Sequence, residues 1–360
     1  MPSWLKRVVT SKLFFALVCL GLVLILNVIM SGPNFFTIEL TKVNTLSGAL
    51  IDILRLSSQV VILAMGMTVV ASCSAGADIS VGSVMVFSMA VALRVLGIEG
   101  GFVYSYAVPL IIALLVCVIV GAICGVWNGF LVSKLKVQPM VATLILFIAA
   151  RAAAKVVMGT TQVHVEVENF KWLGLFITDG HGHNICPIPT PIFIAIAVVL
   201  ITALVFRYTA LGTNIQSVGI NARASRIIGM KSTRILWMAF VFCGACAGIA
   251  GMIMAGTIST VDAQWGGRLI ELDAILAVAL GGNSLAGGKF SIAGSVVGAI
   301  TIQALKTGLG TARVTSDQIP FYQAIVVVII VVMQSPELRP MVNRAATRLR
   351  GLLPQKVELR

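Results

Sequence analysis

The sequence predicts an all-α protein, a polytopic membrane helix bundle with about ten transmembrane helices, and three observations carry that prediction. First, the 360-residue chain is 58% hydrophobic and only 11% charged, against about 45–50% and about 25% in soluble domains. With a mean hydropathy of +1.02, it holds too few ions to coat a water-facing surface, which argues against a soluble enzyme of any class. Disorder is excluded by the same composition. Second, apolar runs of membrane-spanning length recur along the chain. Third, the basic residues fall in alternate intervals between those runs.

A helix needs about 20 mostly apolar residues to cross a hydrocarbon core about 30 Å thick. Runs of this kind lie at roughly 13–31, 57–73, 79–97, 105–132, 138–158, 190–206, 235–256, 271–283, 290–309 and 320–334. Three of them, 190–206, 271–283 and 320–334, are short enough to suit re-entrant or bundle-buried helices as well. Lys6, Arg7 and Lys12 precede the first run as they would in a signal peptide. That run is too long for a typical signal, and Ser31-Gly32-Pro33-Asn34 follows instead of a small-residue cleavage site, so it reads as a retained first helix. The longest polar interval, 159–189, has room for a loop and a short helix. The expected organisation is a single membrane domain over 1–338 followed by a basic tail over 339–360.

Charge sets the expected orientation, because short cytoplasmic loops are enriched in Lys and Arg. With the N-terminus inside, the first 12 residues, Lys134–Lys136, the 207–234 loop and the tail carry +3, +2, +5 and +5, together +15. The five intervals on the other side carry together −3. The net +13 therefore reads as topology, with both termini cytoplasmic, rather than as a nucleic-acid surface.

Cys243-x-x-Cys246 has redox or metal spacing, but in a helix of Gly, Ala and Cys it reads as small-residue packing. His164, His181 and His183 fall in the 159–189 interval with Cys186 and read as a solvated loop. Gly121-x-x-x-Gly125-x-x-x-Gly129, Gly244-x-x-x-Gly248 and Gly294-x-x-x-Gly298 are close-approach stripes between membrane helices. Asp78 interrupts the apolar stretch from 57 to 97 within Ser74-Ala75-Gly76-Ala77-Asp78-Ile79-Ser80-Val81-Gly82-Ser83. Two readings stand side by side: a tight turn in which Asp78 caps the next helix, or a broken helix beside a substrate path. Asp78, Ser80, Ser83, Asn128 and Asn283 are the polar groups near helix breaks nominated for such a path. Glu271 and Asp273 open the eighth run, where acids suit the positive end of a helix. The glycine-rich 281–289 segment places Phe290 after Lys289, so it lacks the nucleotide-binding loop arrangement. No hydrolase, kinase or redox signature is present, no metal set is expected, and the chain reads as non-catalytic.

The 207–234 loop carries the mechanism. Asn221 is a good N-cap, Ala222 to Ile228 favour helix, and Gly229 is a natural stop. The resulting helix sets Ala222, Ala224, Ile227 and Ile228 against Arg223 and Arg226. So short a helix is unstable alone in water and must be held by its bundle or by a partner.

This loop resembles the coupling segment of ATP-binding-cassette importer permeases of the ribose and galactose type. Three further segments match the family: Gly76-Ala77-Asp78-Ile79-Ser80-Val81-Gly82-Ser83, Trp127-Asn128-Gly129-Phe130-Leu131-Val132, and Glu271-Leu272-Asp273-Ala274-Ile275-Leu276-Ala277-Val278 running on into Gly281–Gly288. The resemblance covers roughly 57–335. Val218-Gly219-Ile220-Asn221 and Pro187-Ile188-Pro189-Thr190-Pro191 look closest to the galactofuranose members. Ile220 stands where most of the family has a second Gly, Ser225 replaces a second Ala, and Ala77 replaces the usual Gly or Ile. The resemblance implies an importer subunit in a bacterial inner membrane that passes a monosaccharide, in pentose, hexose or furanose form, into the cytoplasm. It implies a separate ATPase subunit docked on Gly219, Asn221, Ala222, Arg223, Ala224, Ser225, Arg226 and Gly229, a second permease subunit, identical or related, and a secreted sugar-binding protein. ATP would bind the partner, since this chain has no Walker motif, and no cofactor is expected here. The alternative from another class is an ion-coupled secondary sugar transporter acting alone, with Asp78 as its ion site. A structural scaffold would leave the cytoplasmic helix unexplained.

Overall fold

The computed structural model describes residues 12–41, 44–178, 184–312 and 314–334. The expected basic tail, His181 and His183 lie outside the described residues. Twelve α-helices run through the described chain: α1 Lys12–Ser31, α2 Ala49–Ser74, α3 Val81–Leu96, α4 Leu110–Ser133, α5 Pro139–Met158, α6 Thr190–Tyr208, α7 Leu211–Ile220, α8 Ala222–Ile227, α9 Ser232–Ile258, α10 Ile270–Leu280, α11 Ile292–Thr311 and α12 Ile319–Gln334. Ten of these fall on the ten apolar runs. Seven of the ten are long and apolar enough to cross a membrane by length and composition, while α3, α10 and α12 are shorter. The remaining two, α7 and α8, lie in the 207–234 interval, where the sequence led us to expect α8 alone.

Helix starts and stops follow local chemistry. Pro139 opens α5 and Gly159 closes it with φ 69°. Gly97 closes α3 with φ 101°. Ser291 caps α11, its hydroxyl accepting from the Gly294 N–H at 3.1 Å. Hydroxyls inside the helices bond back to their own backbone, as Thr68 does to Ala64 O and Ser72 to Thr68 O. That arrangement satisfies these hydroxyls in an apolar setting.

Up to residue 313 the chain forms one unit, built round α2. Its stretch from Val60 to Val70 is buried on every side, which marks a helix surrounded by others. Helix α9 packs along both α4 and α2; α3 packs on α5, and α11 packs between α1, α2 and α10. The chain from Val314 onward is a second unit containing α12.

The α4–α9 contact is a glycine seam. A Cβ on Gly121 would collide with the Gly244 carbonyl, one on Gly125 with the Phe240 carbonyl, and one on Gly248 would lie 2.6 Å from the Cys117 carbonyl. Backbone thus lies on backbone, as the stripe pattern predicted. Cys243 and Cys246 are both free and buried; Cys243 fills the space opposite Gly66 on α2.

The two ends of this unit differ. One gathers the α2–α3 turn, Lys134–Gln138, α7, α8 and the 281–291 loop. The other carries strands β3 Phe102–Val103, β4 Gln162–Val165 and β5 Thr260–Asp262, ordered β3-β4-β5, the first pair parallel and the second antiparallel. A separate antiparallel pair joins β1 Glu39–Leu40 to β2 Leu46–Ser47. The expected solvated loop is therefore partly a sheet, and His164 lies on its exposed face with Nδ1 3.0 Å from Thr260 Oγ1.

Candidate functional site

Helix α8 has the predicted cap at each end. The Asn221 side chain accepts from the N–H groups of Arg223 and Ala224 at 3.1 and 2.9 Å. At the far end Gly229 takes φ 86°, its N–H donates to Arg226 O, and the Met230 N–H donates to Ser225 O, each at 3.0 Å. This paired return closes the helix with the orphan carbonyls satisfied. Ser225 is buried beneath the helix, and Ser232 Oγ donates to Ala222 O at 3.3 Å, tying α8 to the start of α9. The aliphatic side faces outward: Ile220, Ile227 and Ile228 are 67%, 82% and 71% exposed.

Gly219, at the end of α7, joins this helix to the bundle. A Cβ there would collide with Ser72 O at the end of α2 and lie 2.8 Å from Gly288 N. The Gly288 N–H donates to Ser72 O at 2.9 Å. The α7–α8 segment therefore bears directly on the end of the central helix and on the 281–291 loop.

Immediately beyond that end, Ala75 takes a left-handed φ of 51° and the chain turns through Asp78. The Asp78 Oδ1 accepts from the Ser80 N–H at 2.9 Å and from Ser80 Oγ at 2.6 Å. Asn128 Nδ2 on α4 donates to Ser80 Oγ at 2.9 Å, and Thr143 Oγ1 on α5 receives the Ile79 N–H at 3.2 Å. Asp78 thus holds the turn two residues on, while Ser80 occupies the cap position of α3; the expected direct cap is replaced by an Asx-type turn. Asn283 belongs to a second network. Its amide donates to Ser291 O and Ser295 Oγ and accepts from Ser291 N, and Ser295 Oγ meets Thr68 Oγ1 of α2 at 2.6 Å. Ser83 stands apart, 3.4 Å from Arg151 Nε. All five nominated polar residues are buried, and four of them, all but Ser83, pin segments around the end of α2.

Sequence reasoning passed over Arg151 and Lys306. Arg151 on α5 donates to Gln264 O at 2.8 Å and Gly266 O at 3.1 Å, bracing the β5–α10 loop. Lys306, inside the predicted 290–309 span, pairs with buried Asp273, so the helix-end account of Asp273 is incomplete. The signal was present, since an ionisable residue within a membrane run is a functional hypothesis by default. A cavity of about 250 Å³ opens beside this pair, lined in part by Gln59, Trp265, Arg268, Asp273, Gln303 and Lys306. Arg268 lies over the Trp265 ring at 4.5 Å. Nearby, Asp262 titrates below the ordinary aspartate value. Burial alone would raise it, but the N–H groups of Trp265 and Gln264 and the Gln162 amide bind the carboxylate and outweigh that effect.

Among the described residues no group of three or more His, Cys, Asp or Glu could hold a metal ion. The family described as branched-chain amino acid transport system / permease component matches residues 49–334. The chain is 36% identical over 355 residues to the galactofuranose transporter permease protein of Escherichia coli (strain K12), covering 97% of this chain and 99% of that one. It is 35% identical over 340 residues to the fructose import permease protein of Bifidobacterium longum (strain NCC 2705), covering 93% and 91%. Against the ribose import permease protein of Escherichia coli (strain K12) the identity is 34% over 316 residues, covering 87% and 89%. No solved structure matches.

Proposed function

Because the chain belongs to the permease-component family of branched-chain amino acid transport systems, and its relatives named above import sugars, we propose that it is the membrane-spanning permease subunit of an ATP-binding-cassette importer that brings a monosaccharide into the cytoplasm. The observation that carries this reading is α8, a doubly capped helix with bare isoleucines, seated through Gly219 on the end of the central helix. An exposed apolar face beside two arginines calls for a protein partner, and a cytoplasmic ATPase that docks there pushes directly on α2. The end bearing α8 and Lys134–Gln138 is then cytoplasmic, as are both chain termini.

The mechanism follows from the contacts. Force on α8 passes through Gly219 to Ser72, at the point where α2 gives way to the left-handed Ala75. The Asp78–Ser80–Asn128 network carries it to α3 and α4, and Gly288 with Asn283 carries it to α10 and α11. An apolar cavity of about 290 Å³ between α2, α6, α7 and α9, lined by Val69, Phe206 and Ile215 among others, leaves α7 room to shift. Asp78 acts here as a positioning residue. At the opposite end, the cavity beside Asp273 and Lys306 offers amides, charges and an indole face to a sugar delivered by a binding protein. ATP is bound and split on the partner ATPase, and a second permease subunit completes the pathway.

The test is reconstitution of the chain with its ATPase and binding protein, scored by uptake of labelled ribose, fructose and galactofuranose. ATP-dependent uptake of one of these is expected. Uptake by the chain alone on an ion gradient overturns the reading. Arg223→Glu with Arg226→Glu should abolish uptake and sugar-stimulated ATP hydrolysis while membrane insertion stays normal.

A further inference from the structure

A further cavity lies at the α8 end, about 730 Å³ in volume, and of its lining the transport mechanism uses Arg226 alone. Its lining includes Lys134, Lys136, Arg226, Lys231 and Arg234 and no acidic residue. Among the described residues none of these five cations is in an ion pair. Ser133, at the floor, is 1% exposed, and its hydroxyl has no hydrogen-bond partner. A buried unpartnered hydroxyl is unfavourable, so the site is incomplete as it stands. Lys136 donates to Ser133 O at 2.6 Å, and five cations without an acidic partner round a vacant hydroxyl suit an anion with several acceptor oxygens, which a phosphodiester provides.

The rim identifies the source of that phosphate. Phe130 and Trp237, which line the cavity, are 44% and 38% exposed. From Phe130 an apolar stripe continues along α4 through Trp127, Ile123 and Ile119, exposed by 50%, 59% and 55%. These positions recur at helical spacing, and at 1.5 Å per residue the stripe runs about 16 Å from the cavity toward the other end of the bundle. A basic pocket opening onto an apolar stripe matches an amphiphile with an anionic head. We infer that the pocket at Ser133, Lys134, Lys136, Lys231 and Arg234 holds the headgroup phosphate of an anionic phospholipid, its acyl chain lying along Phe130, Trp127, Ile123 and Ile119. A lipid held there sits against Arg226 of α8, so occupancy would brace the coupling helix in the bilayer.

Native mass spectrometry of the purified full chain, exchanged into detergent with phosphatidylglycerol or phosphatidylcholine, tests the assignment. Phosphatidylglycerol should be retained in preference to phosphatidylcholine and should resist displacement by excess inorganic phosphate. Each cation contributes about 1 kcal/mol, or roughly fivefold, toward an anionic lipid. Lys134→Gln with Lys136→Gln and Arg234→Gln should therefore weaken retention about a hundredfold, and Ser133→Ala should weaken it by a smaller factor without lowering the melting temperature in phosphatidylcholine. Equal retention of phosphatidylcholine, displacement by inorganic phosphate, or unchanged retention in the triple variant overturns the inference. So does a Trp127→Cys disulfide-linked dimer formed in native membranes, which would place a second copy on the stripe.

Discussion

The α4–α9 seam and the short helix α8 both rely on small and aliphatic residues, yet they solve opposite problems. In the seam, Gly121, Gly125, Gly244 and Gly248 remove every side chain so that backbones meet, and nothing is left to solvent or to a partner. In α8, local capping is complete but Ile227 and Ile228 stay bare. A contact made within the chain stabilises the fold, whereas an apolar surface left open on a folded element is available only to another molecule. Stability and the coupling proposed for α8 therefore fall to different residues, and substitutions should separate them.

The largest effect is expected in the seam. Gly121→Leu or Gly244→Leu puts a side chain into the opposite backbone; overpacking of this kind costs about 3 kcal/mol or more, and membrane-inserted yield measured by fluorescence size exclusion should fall to background. Lys306→Met should come next, because it takes the ammonium away from buried Asp273, and breaking a buried pair costs up to about 3–5 kcal/mol. Asp273→Asn added to it should restore most of the lost melting temperature. In α8, Ile227→Ser with Ile228→Ser should move the melting temperature little, within about 0.5 kcal/mol, yet lower sugar-stimulated ATP hydrolysis at least tenfold. A variant that unfolds instead would show that these isoleucines belong to the core and would erase the contrast. Asn221→Ala loses one cap, worth about 1 kcal/mol. It should reduce uptake severalfold and leave insertion intact.

The smallest effect is one of pH. Because the folded Asp262 titrates below its unfolded value, its contribution is present above the unfolded pKa and is lost as pH falls through the folded one. Melting temperature should drop on acidification through the carboxylate range, and Asp262→Asn should flatten that part of the profile.

Much of the bundle was legible in the chain because each helix announces itself locally. Ten apolar runs matched ten helices, and Asn221 and Gly229 marked both ends of α8, since capping depends on residues only a few positions apart. The extra helix α7 was missed although Leu211, Ile215 and Val218 recur at helical spacing and the latter two are buried, because the Gly, Thr, Asn and Ser residues between them read as loop. The β3–β4–β5 sheet was missed for another reason: strands of two to four residues carry too little pattern, and their pairing joins Phe102 to His164 and His164 to Thr260, residues far apart in the chain.

By itself the sequence determined that the chain is a membrane bundle, where its long apolar helices lie, which end is basic, and that one capped helix stands outside the bundle. Those properties follow from composition and short-range spacing. Only the tertiary structure decided what the polar residues do: that Asp78, Ser80 and Asn128 form one network while Asn283 joins Ser295 and Thr68, that Lys306 finds Asp273, and that Gly219 rests on Ser72. Each of these joins groups far apart in the chain, and spacing in a sequence holds no information about which distant segments will be packed side by side.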